Sequence, residues 1–266
     1  MRKTHSSNNG FSLTEVLLAI GVITVGMLFI AGAFPVGIHF TTIATERTIS
    51  AVVANEAFAK IRLYGVVDFN SWPALPVVAC VDYRDVSTGV VNPVEYSYPS
   101  DPNMDISRKQ YYWSALCRLV DTDPNSRLVQ VTVFVCRKVG AGSSFWHLNP
   151  SPPPRLIQGS TPVPVSVPVS MGPGPKELTI TNPAEKTFIN DGYTIVGNEY
   201  GRIYRVLERY TDDPATPTPD DQTIRLDLDQ VWGPGNISPT MVWVIPPPIG
   251  GGRCPFIAIY QRVIRF

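Results

Sequence analysis

Four cysteines carry the most reactive side chains of the 266-residue chain, and they are Cys80, Cys117, Cys136 and Cys254. No two of them have the Cys-x-x-Cys spacing typical of zinc sites and redox dithiols, so neither kind of site is predicted. Three pairings would give two disulfides, and Cys117 with Cys136 is the most local of them. Buried free thiols are the alternative, and the sequence leaves both open.

A short loop places oxygen ligands at alternate positions, at Asp121, Asp123 and Asn125. Carboxylate and amide oxygens at this spacing are typical of calcium loops, but the later glycine and bidentate glutamate of an EF-hand do not follow. A hairpin turn rich in Asp, Asn and Pro explains the same residues. The sequence therefore predicts no cofactor, with calcium at this loop as the alternative.

No set of residues with catalytic spacing stands out. Of three histidines, only His147 lies beyond residue 39, and there is no Gly-x-Ser-x-Gly, P-loop or dinucleotide-binding motif. Basic and acidic residues number 22 each, whereas a nucleic-acid-binding domain normally carries a basic excess. We therefore expect neither an enzyme nor a nucleic-acid-binding protein.

A long apolar run begins directly after Glu15. Residues 16–45 include no Asp, Glu, Lys or Arg, and about 20 apolar residues in a helix span a bilayer core. By the positive-inside rule, Arg2 and Lys3 are expected to keep the start of the chain in the cytoplasm. Three alternatives fit: a secretory signal cut near Ala31-Gly32-Ala33, an uncleaved signal anchor, or a signal cut before the apolar run.

The residues that separate these alternatives are Gly10-Phe11-Ser12-Leu13-Thr14-Glu15-Val16-Leu17. This stretch resembles the processing site of type IV prepilins and type II secretion pseudopilins. The resemblance covers about the first 65 residues. It implies that a membrane-embedded prepilin peptidase cuts between Gly10 and Phe11 and methylates the new N-terminal Phe11. The apolar helix then stays with the mature chain.

The resemblance also gives Glu15 a role. A carboxylate inside a membrane segment costs about 2.5–3.5 kcal/mol on insertion scales, so it is usually functional. In a filament, the amine freed at Phe11 of a neighbouring subunit can neutralise Glu15, and this charge pair sets the axial register of otherwise smooth apolar helices. The implied partners are prepilin peptidase, other pilin or pseudopilin subunits, an inner-membrane assembly platform and the lipid bilayer.

Beyond Thr45 the helix is predicted to continue as an amphipathic segment that stops at Gly65. Its apolar positions recur at helical spacing, at Ala54, Ala57, Phe58 and Ile61. Within the apolar run, Pro35 and the flanking Gly32 and Gly37 mark where the helix can unwind during assembly, as the resemblance implies, or simply kink.

After Gly65 the pattern changes to that of short strands. Residues 111–120 and 128–139 predict an antiparallel pair. Five further strands are predicted as an antiparallel meander, at residues 187–196, 202–209, 223–231, 241–245 and 256–264. Nine prolines in residues 149–176 predict a loop or spacer, with an edge strand formed by its valines as the alternative.

The predicted fold class is α+β and pilin-like, with a long N-terminal α-helix packed on a mainly antiparallel β head and membrane-spanning in its first half. The predicted divisions are a leader (1–10), the helix (11–65), a first part of the head (66–148), the Pro-rich segment (149–176) and a second part of the head (177–266).

The expected function is that of a structural subunit, a minor pilin or pseudopilin, of a type IV pilus or type II secretion pseudopilus. Before assembly its N-terminus would be cytoplasmic and its head periplasmic. The alternative is a membrane-tethered protein that binds a ligand such as a glycan. An exposed aromatic face at Tyr111, Tyr112 and Trp113 would favour that alternative.

Overall fold

The structure, a computed structural model, describes residues 12–69, 72, 79–89, 91–101, 103–105, 108–120, 127–140, 142–149, 155–172, 174–209, 223–226, 232 and 239–266. The chain divides into two compact units, Met1–Thr48 and Ile49–Phe266. Gly10 and Phe11 lie outside the described residues, and so do Asp121, Asp123 and Asn125 of the predicted calcium loop.

The longest element is helix α1, Leu13–Tyr64, which includes Pro35 without interruption. At its start, the backbone carbonyl of Ser12 accepts hydrogen bonds from the N–H groups of Glu15 and Val16 at 3.0 and 3.2 Å. At its end, Gly65 has a φ of +70° and donates its N–H to the Ile61 carbonyl at 2.9 Å. Glycine adopts this left-handed conformation without strain, so the helix stops there.

The last four turns of α1 belong to the second unit and bury one face. The buried side chains recur every three or four residues, and they are Ser50, Val53, Ala54, Ala57, Phe58 and Ile61. Valines of two long strands cover this face, forming what we call the helix-side core. The amphipathic spacing seen in the sequence thus corresponds to a helix that packs one face on a sheet.

The described residues of the second unit also form a short α-helix, thirteen strands and two 3-10 helices, Pro93–Tyr96 and Pro183–Phe188. The short α-helix and the strands are α2 (Tyr83–Val86), β1 (Val81–Asp82), β2 (Ser97–Tyr98), β3 (Tyr111–Leu119), β4 (Leu128–Arg137), β5 (Phe145–Asn149), β6 (Arg155–Gly159), β7 (Val165–Met171), β8 (Glu177–Ile180), β9 (Thr194–Gly197), β10 (Ile203–Arg209), β11 (Thr223–Leu226), β12 (Met241–Val244) and β13 (Phe256–Arg265).

One antiparallel sheet has the order β1-β3-β4-β13, with β2 also paired to β3. The strands β3 and β4 are buried on both faces, which explains their nearly continuous apolar sequences. Trp113, Ala115 and Cys117 face the helix-side core. Leu116 instead meets Phe134 on the opposite face, in a second cluster shared with the strands β9 and β12.

Six strands form a closed barrel with the order β10-β11-β8-β7-β12-β9, and β5 pairs with β6 in a separate hairpin. The barrel is filled by its own apolar side chains, among them Val167, Leu178, Ile195 and Val206, all fully buried. The α+β class is confirmed: a long apolar N-terminal helix accompanies antiparallel sheets.

The predicted meander is wrong, although its strands are antiparallel. The last strand, β13, is not part of the barrel. It pairs with β4 along nearly its whole length. Residues 183–188 form a 3-10 helix, where Asn182 accepts a hydrogen bond from the Ala184 N–H, so the strand predicted at 187–196 begins only at Thr194. Sequence spacing indicates strands but carries no information on which distant strands pair.

The predicted spacer at residues 149–176 is also wrong where the structure describes it, because β6 and β7 lie there. Val165, Val167 and Val169 point into the barrel core. β7 pairs with β12 on one side and β8 on the other, so it is not an edge strand either. Pro168 is tolerated because it lies where the pairing with β8 ends, its carbonyl accepting from the Thr181 N–H at 3.0 Å.

Candidate functional site

The first 28 residues of α1 present an uncovered apolar surface. Sixteen large apolar side chains from Leu13 to Phe40 are exposed, far more than a monomeric soluble protein normally leaves uncovered. Among the described residues, α1 is the one helix long and apolar enough to cross a membrane, and its most apolar stretch has no buried residue. By length and composition this segment can span a bilayer.

Glu15 lies in the first turn of this segment, next to the start of the apolar surface. Further along, a methyl group added at Gly21, Gly26, Gly32 or Gly37 would meet nothing within 4 Å. The helix is continuous across Pro35, and the Thr41 hydroxyl donates to the Gly37 carbonyl at 2.8 Å. The structure therefore shows this stretch as regular helix, and its unwinding during assembly stays a prediction.

All four cysteines are free thiols. Cys117 pairs with Val131 and Cys136 with Tyr112, so the two cysteines lie five residues apart in register, on opposite faces of the sheet. A disulfide between Cys117 and Cys136 would therefore require a change in the register of β3 and β4. Burial raises the pKa of the Cys80 thiol to about 12 and raises that of the Cys117 and Cys136 thiols as well.

A cleft of about 620 Å³ opens beside β3 in the second unit. Its walls come from α2 and the loop after it, the 3-10 helix Pro93–Tyr96, β3, β5 and the loop after β6. The lining includes Arg84, Tyr96, Ser114, His147, Thr161 and Val163. A mixed apolar and polar cleft of this size is the usual form of a small-molecule site.

The local sequence explains how α2 forms one wall of the cleft. Asp82 caps α2 by accepting the Arg84 backbone N–H at 2.9 Å. The same carboxylate accepts from the Arg84 guanidinium, from Nε at 3.0 Å and from Nη2 at 2.6 Å. A two-point contact of this kind fixes a guanidinium in one orientation. The charge of Asp82 therefore largely cancels that of Arg84, which lines the cleft.

Aromatic residues of β3 and of the 3-10 helix Pro93–Tyr96 form a second wall of the cleft. The Trp113 indole N–H donates to the Glu95 carbonyl at 2.9 Å, and the Tyr96 ring lies 4.7 Å from the Trp113 ring. Tyr112 and Trp113 are buried, and Tyr111 is half-buried. The three aromatic residues singled out in the sequence therefore support the cleft and the sheet and do not form an exposed aromatic face.

His147 enters the cleft from β5. Its Nε2 lies 2.7 Å from the Thr161 carbonyl oxygen, which can only accept, so Nε2 carries the proton. Burial lowers the pKa of His147, which favours the neutral ring with Nδ1 as an acceptor. The ring lies over Gly159, where any Cβ would come within 2.3 Å of it.

The sequence draws attention to His147, as the histidine that lies beyond residue 39, but not to Arg84, Ser114 or Thr161. These residues are scattered over the chain, and only the pairing of β3 and the hairpin brings them together. No signal in the sequence could have found them. Among the described residues, no group of three His, Cys, Asp or Glu side chains could hold a metal ion.

Comparison with known proteins gave no relative: no protein-family model, no curated protein and no solved structure matches this chain.

Proposed function

We propose that the chain is a structural subunit, a minor pilin or pseudopilin, of a type IV pilus or type II secretion pseudopilus. In this proposal prepilin peptidase cuts between Gly10 and Phe11. The mature α1 crosses the inner membrane with its N-terminus cytoplasmic and the head periplasmic, and it then enters a filament. The supporting observation is the uncovered apolar surface on a helix whose later turns are buried against a sheet.

The exposed apolar surface needs a cover. Before assembly lipid tails would provide it, and in a filament the helices of neighbouring subunits would. A secretory cut after Ala33 would leave Phe34, Val36, Ile38 and Phe40 exposed at the start of a soluble chain. A cut before the apolar run keeps the whole apolar helix in the mature chain, where lipid tails or neighbouring helices can bury these side chains. The need to bury them therefore favours processing beside Gly10.

The glycines of the anchor support close contact between helices. In the single chain the space around Gly21, Gly26, Gly32 and Gly37 is open. Small residues let the backbones of neighbouring membrane helices approach, because no side chain holds them apart. Glu15, at the beginning of the same surface, would then meet the free amine of the adjacent subunit.

The size of the head favours a minor subunit. Residues 66–266 carry a five-stranded sheet, a hairpin and a closed barrel. A subunit that repeats along a whole filament must fit its head between close neighbours, and a head of about 200 residues is large for that role. A subunit at the tip, or one present in few copies, has no such restriction.

N-terminal sequencing of the protein from its native membranes tests the processing step. We expect the mature chain to begin at Phe11, with a methylated amine. The matched control is Gly10→Val, which is expected to retain residues 1–10 because the small residue before the cut is lost. A mature chain that begins near Phe34, or at Met1, would show that the prepilin proposal is wrong.

Immunogold labelling of sheared filaments tests the assembly step. Labels at filament ends support a minor subunit, and labels along the shaft would indicate a major one. Filaments without label, together with labelled membranes, would instead support a tethered protein that never assembles.

A further inference from the structure

The Ser114 hydroxyl is a buried polar group without a partner in the described part of the chain. The residue is only 4% exposed, and its Oγ makes no hydrogen bond. Ser114 also lines the cleft. A buried hydroxyl without a partner destabilises the free protein, so its presence in a cleft wall needs an explanation. A ligand that hydrogen-bonds to it supplies one.

The other polar groups of the cleft include both donors and acceptors. Burial lowers the pKa of His147 and so favours its neutral form, and because Nε2–H is engaged with Thr161, its Nδ1 is left as an acceptor. Ser87, Thr88 and Ser160 add hydroxyl groups. The Ser87 hydroxyl donates to the Gly89 carbonyl at 2.9 Å and so offers a ligand an acceptor, whereas those of Thr88 and Ser160 can donate and accept. A ligand that fits must therefore offer donors and acceptors together.

The charge balance argues against a strongly charged ligand. Among the described residues that line the cleft, Arg84 carries the one guanidinium, and Asp82 holds it in a two-point ion pair. Arg84 can still donate a hydrogen bond from an N–H that Asp82 does not use. A phosphate would require more cationic donors than this wall provides.

We propose that this cleft binds an uncharged saccharide. Each sugar hydroxyl both donates and accepts, which matches the mixed polar groups around Ser114 and His147. The apolar face of a sugar ring matches the side chains of Val91, Pro93, Pro162 and Val163 in the same cleft. The volume of about 620 Å³ lies within the range of small-molecule sites and accommodates one or two sugar rings.

Saturation-transfer NMR and titration calorimetry on the full-length protein test this proposal. The protein is held in a zwitterionic detergent, because a detergent with a sugar headgroup would compete. The probes are methyl glucoside, methyl galactoside, methyl mannoside and N-acetylglucosamine. We expect at least one to bind, and Ser114→Ala to weaken its binding about tenfold.

A second readout separates a binding role from a structural one. Ser114→Ala removes the partnerless hydroxyl, so we expect its thermal midpoint to be equal to or higher than that of the wild type while its sugar binding is weakened about tenfold. His147→Phe, which keeps a ring over Gly159 but removes the Nδ1 acceptor, should also weaken binding. The matched control is Ser166→Ala, on β7 and outside the lining of the cleft, which should bind as the wild type does.

Three results would overturn the proposal: no binding of any of the four sugars, equal binding by the wild type and Ser114→Ala, or binding of uncharged tetrapeptides in place of sugars. The last result would assign the cleft to a peptide. Because these measurements use unassembled protein, they can fail while the filament proposal holds, and the reverse is equally true.

Discussion

Glu15 is the acidic residue of the first turn of α1, and it stands beside sixteen exposed apolar side chains. Its carboxylate makes insertion into a bilayer less favourable, by about 2.5–3.5 kcal/mol at the membrane centre. In the proposed filament, pairing with the amine of a neighbouring subunit would give this carboxylate a role in assembly, because a charge pair in an apolar surrounding is strong and depends on geometry.

We therefore expect Glu15→Val to be processed as the wild type is but to be missing from filaments. The amount recovered in sheared filaments should fall at least about tenfold, which corresponds to about 1.4 kcal/mol per subunit contact. Immunoblots of the filament and membrane fractions measure both steps. Glu15→Asp, which keeps the carboxylate, is the matched control and should retain part of the assembly. Equal amounts of Glu15→Val and wild type in filaments would exclude the charge pair.

At the scale of elements, α1 joins an exposed apolar surface to a buried one. Its last turns insert Phe58 and Ile61 between the strands of the helix-side core, and the Arg262 guanidinium lies 4.6 Å above the Phe58 ring. Lys60 extends the contact through ion pairs with Glu56 at 3.0 Å and Glu95 at 2.8 Å. These contacts hold the last turns of α1 to the sheet of the second unit.

Truncation of Ile61 tests how firmly the helix is held. Ile61 is fully buried, so we expect Ile61→Ala to lower the free energy of unfolding by about 2–5 kcal/mol, through lost burial and the cavity it leaves. Leu63→Ala is the matched control: this side chain is 78% exposed, and its truncation should change stability by less than about 0.5 kcal/mol. Urea unfolding followed by tryptophan fluorescence measures both. Equal effects would mean that α1 is not packed as the structure shows.

The elements also show which features a sequence can predict. The long helix, its stop at Gly65 and the pair β3 and β4 follow from local spacing, since glycine and alternating side chains act within a few residues. The pairing of β13 with β4 joins residues more than 100 positions apart, and no local pattern encodes it. The cleft depends on such distant pairing, so Ser114 could not be recognised from the sequence.

At the scale of the whole molecule, one sheet is shared by two cores. The helix-side core covers one face of β3 and β4, and the strands β9 and β12 of the barrel cover the other. Residues of the turn after β9 form hydrogen bonds that link the barrel to the sheet. Asn198 accepts hydrogen bonds from the Cys80 N–H at 3.2 Å and the Trp243 indole at 3.0 Å, and the Gln261 amide donates to the Gly201 carbonyl at 2.7 Å.

The buried thiols report on both cores at once, because Cys117 lies on the helix side of the sheet and Cys80 and Cys136 lie on the barrel side. Burial keeps all three protonated at about pH 8, and only the thiolate reacts rapidly with disulfide reagents. In the folded protein we expect Cys254, which is half-buried, to react first. Cys254→Ser should abolish that early reaction.

If the second unit unfolds as one cooperative body, the three buried thiols must become reactive together. Labelling of the full-length protein in increasing urea, read by mass spectrometry of cysteine peptides, should give one midpoint for Cys80, Cys117 and Cys136 that coincides with the tryptophan fluorescence transition. The reason is that opening the shared sheet removes the cover of both faces. A lower midpoint for Cys80 and Cys136 than for Cys117 would instead show that the barrel leaves the sheet first, and that the sheet and α1 are stable without it.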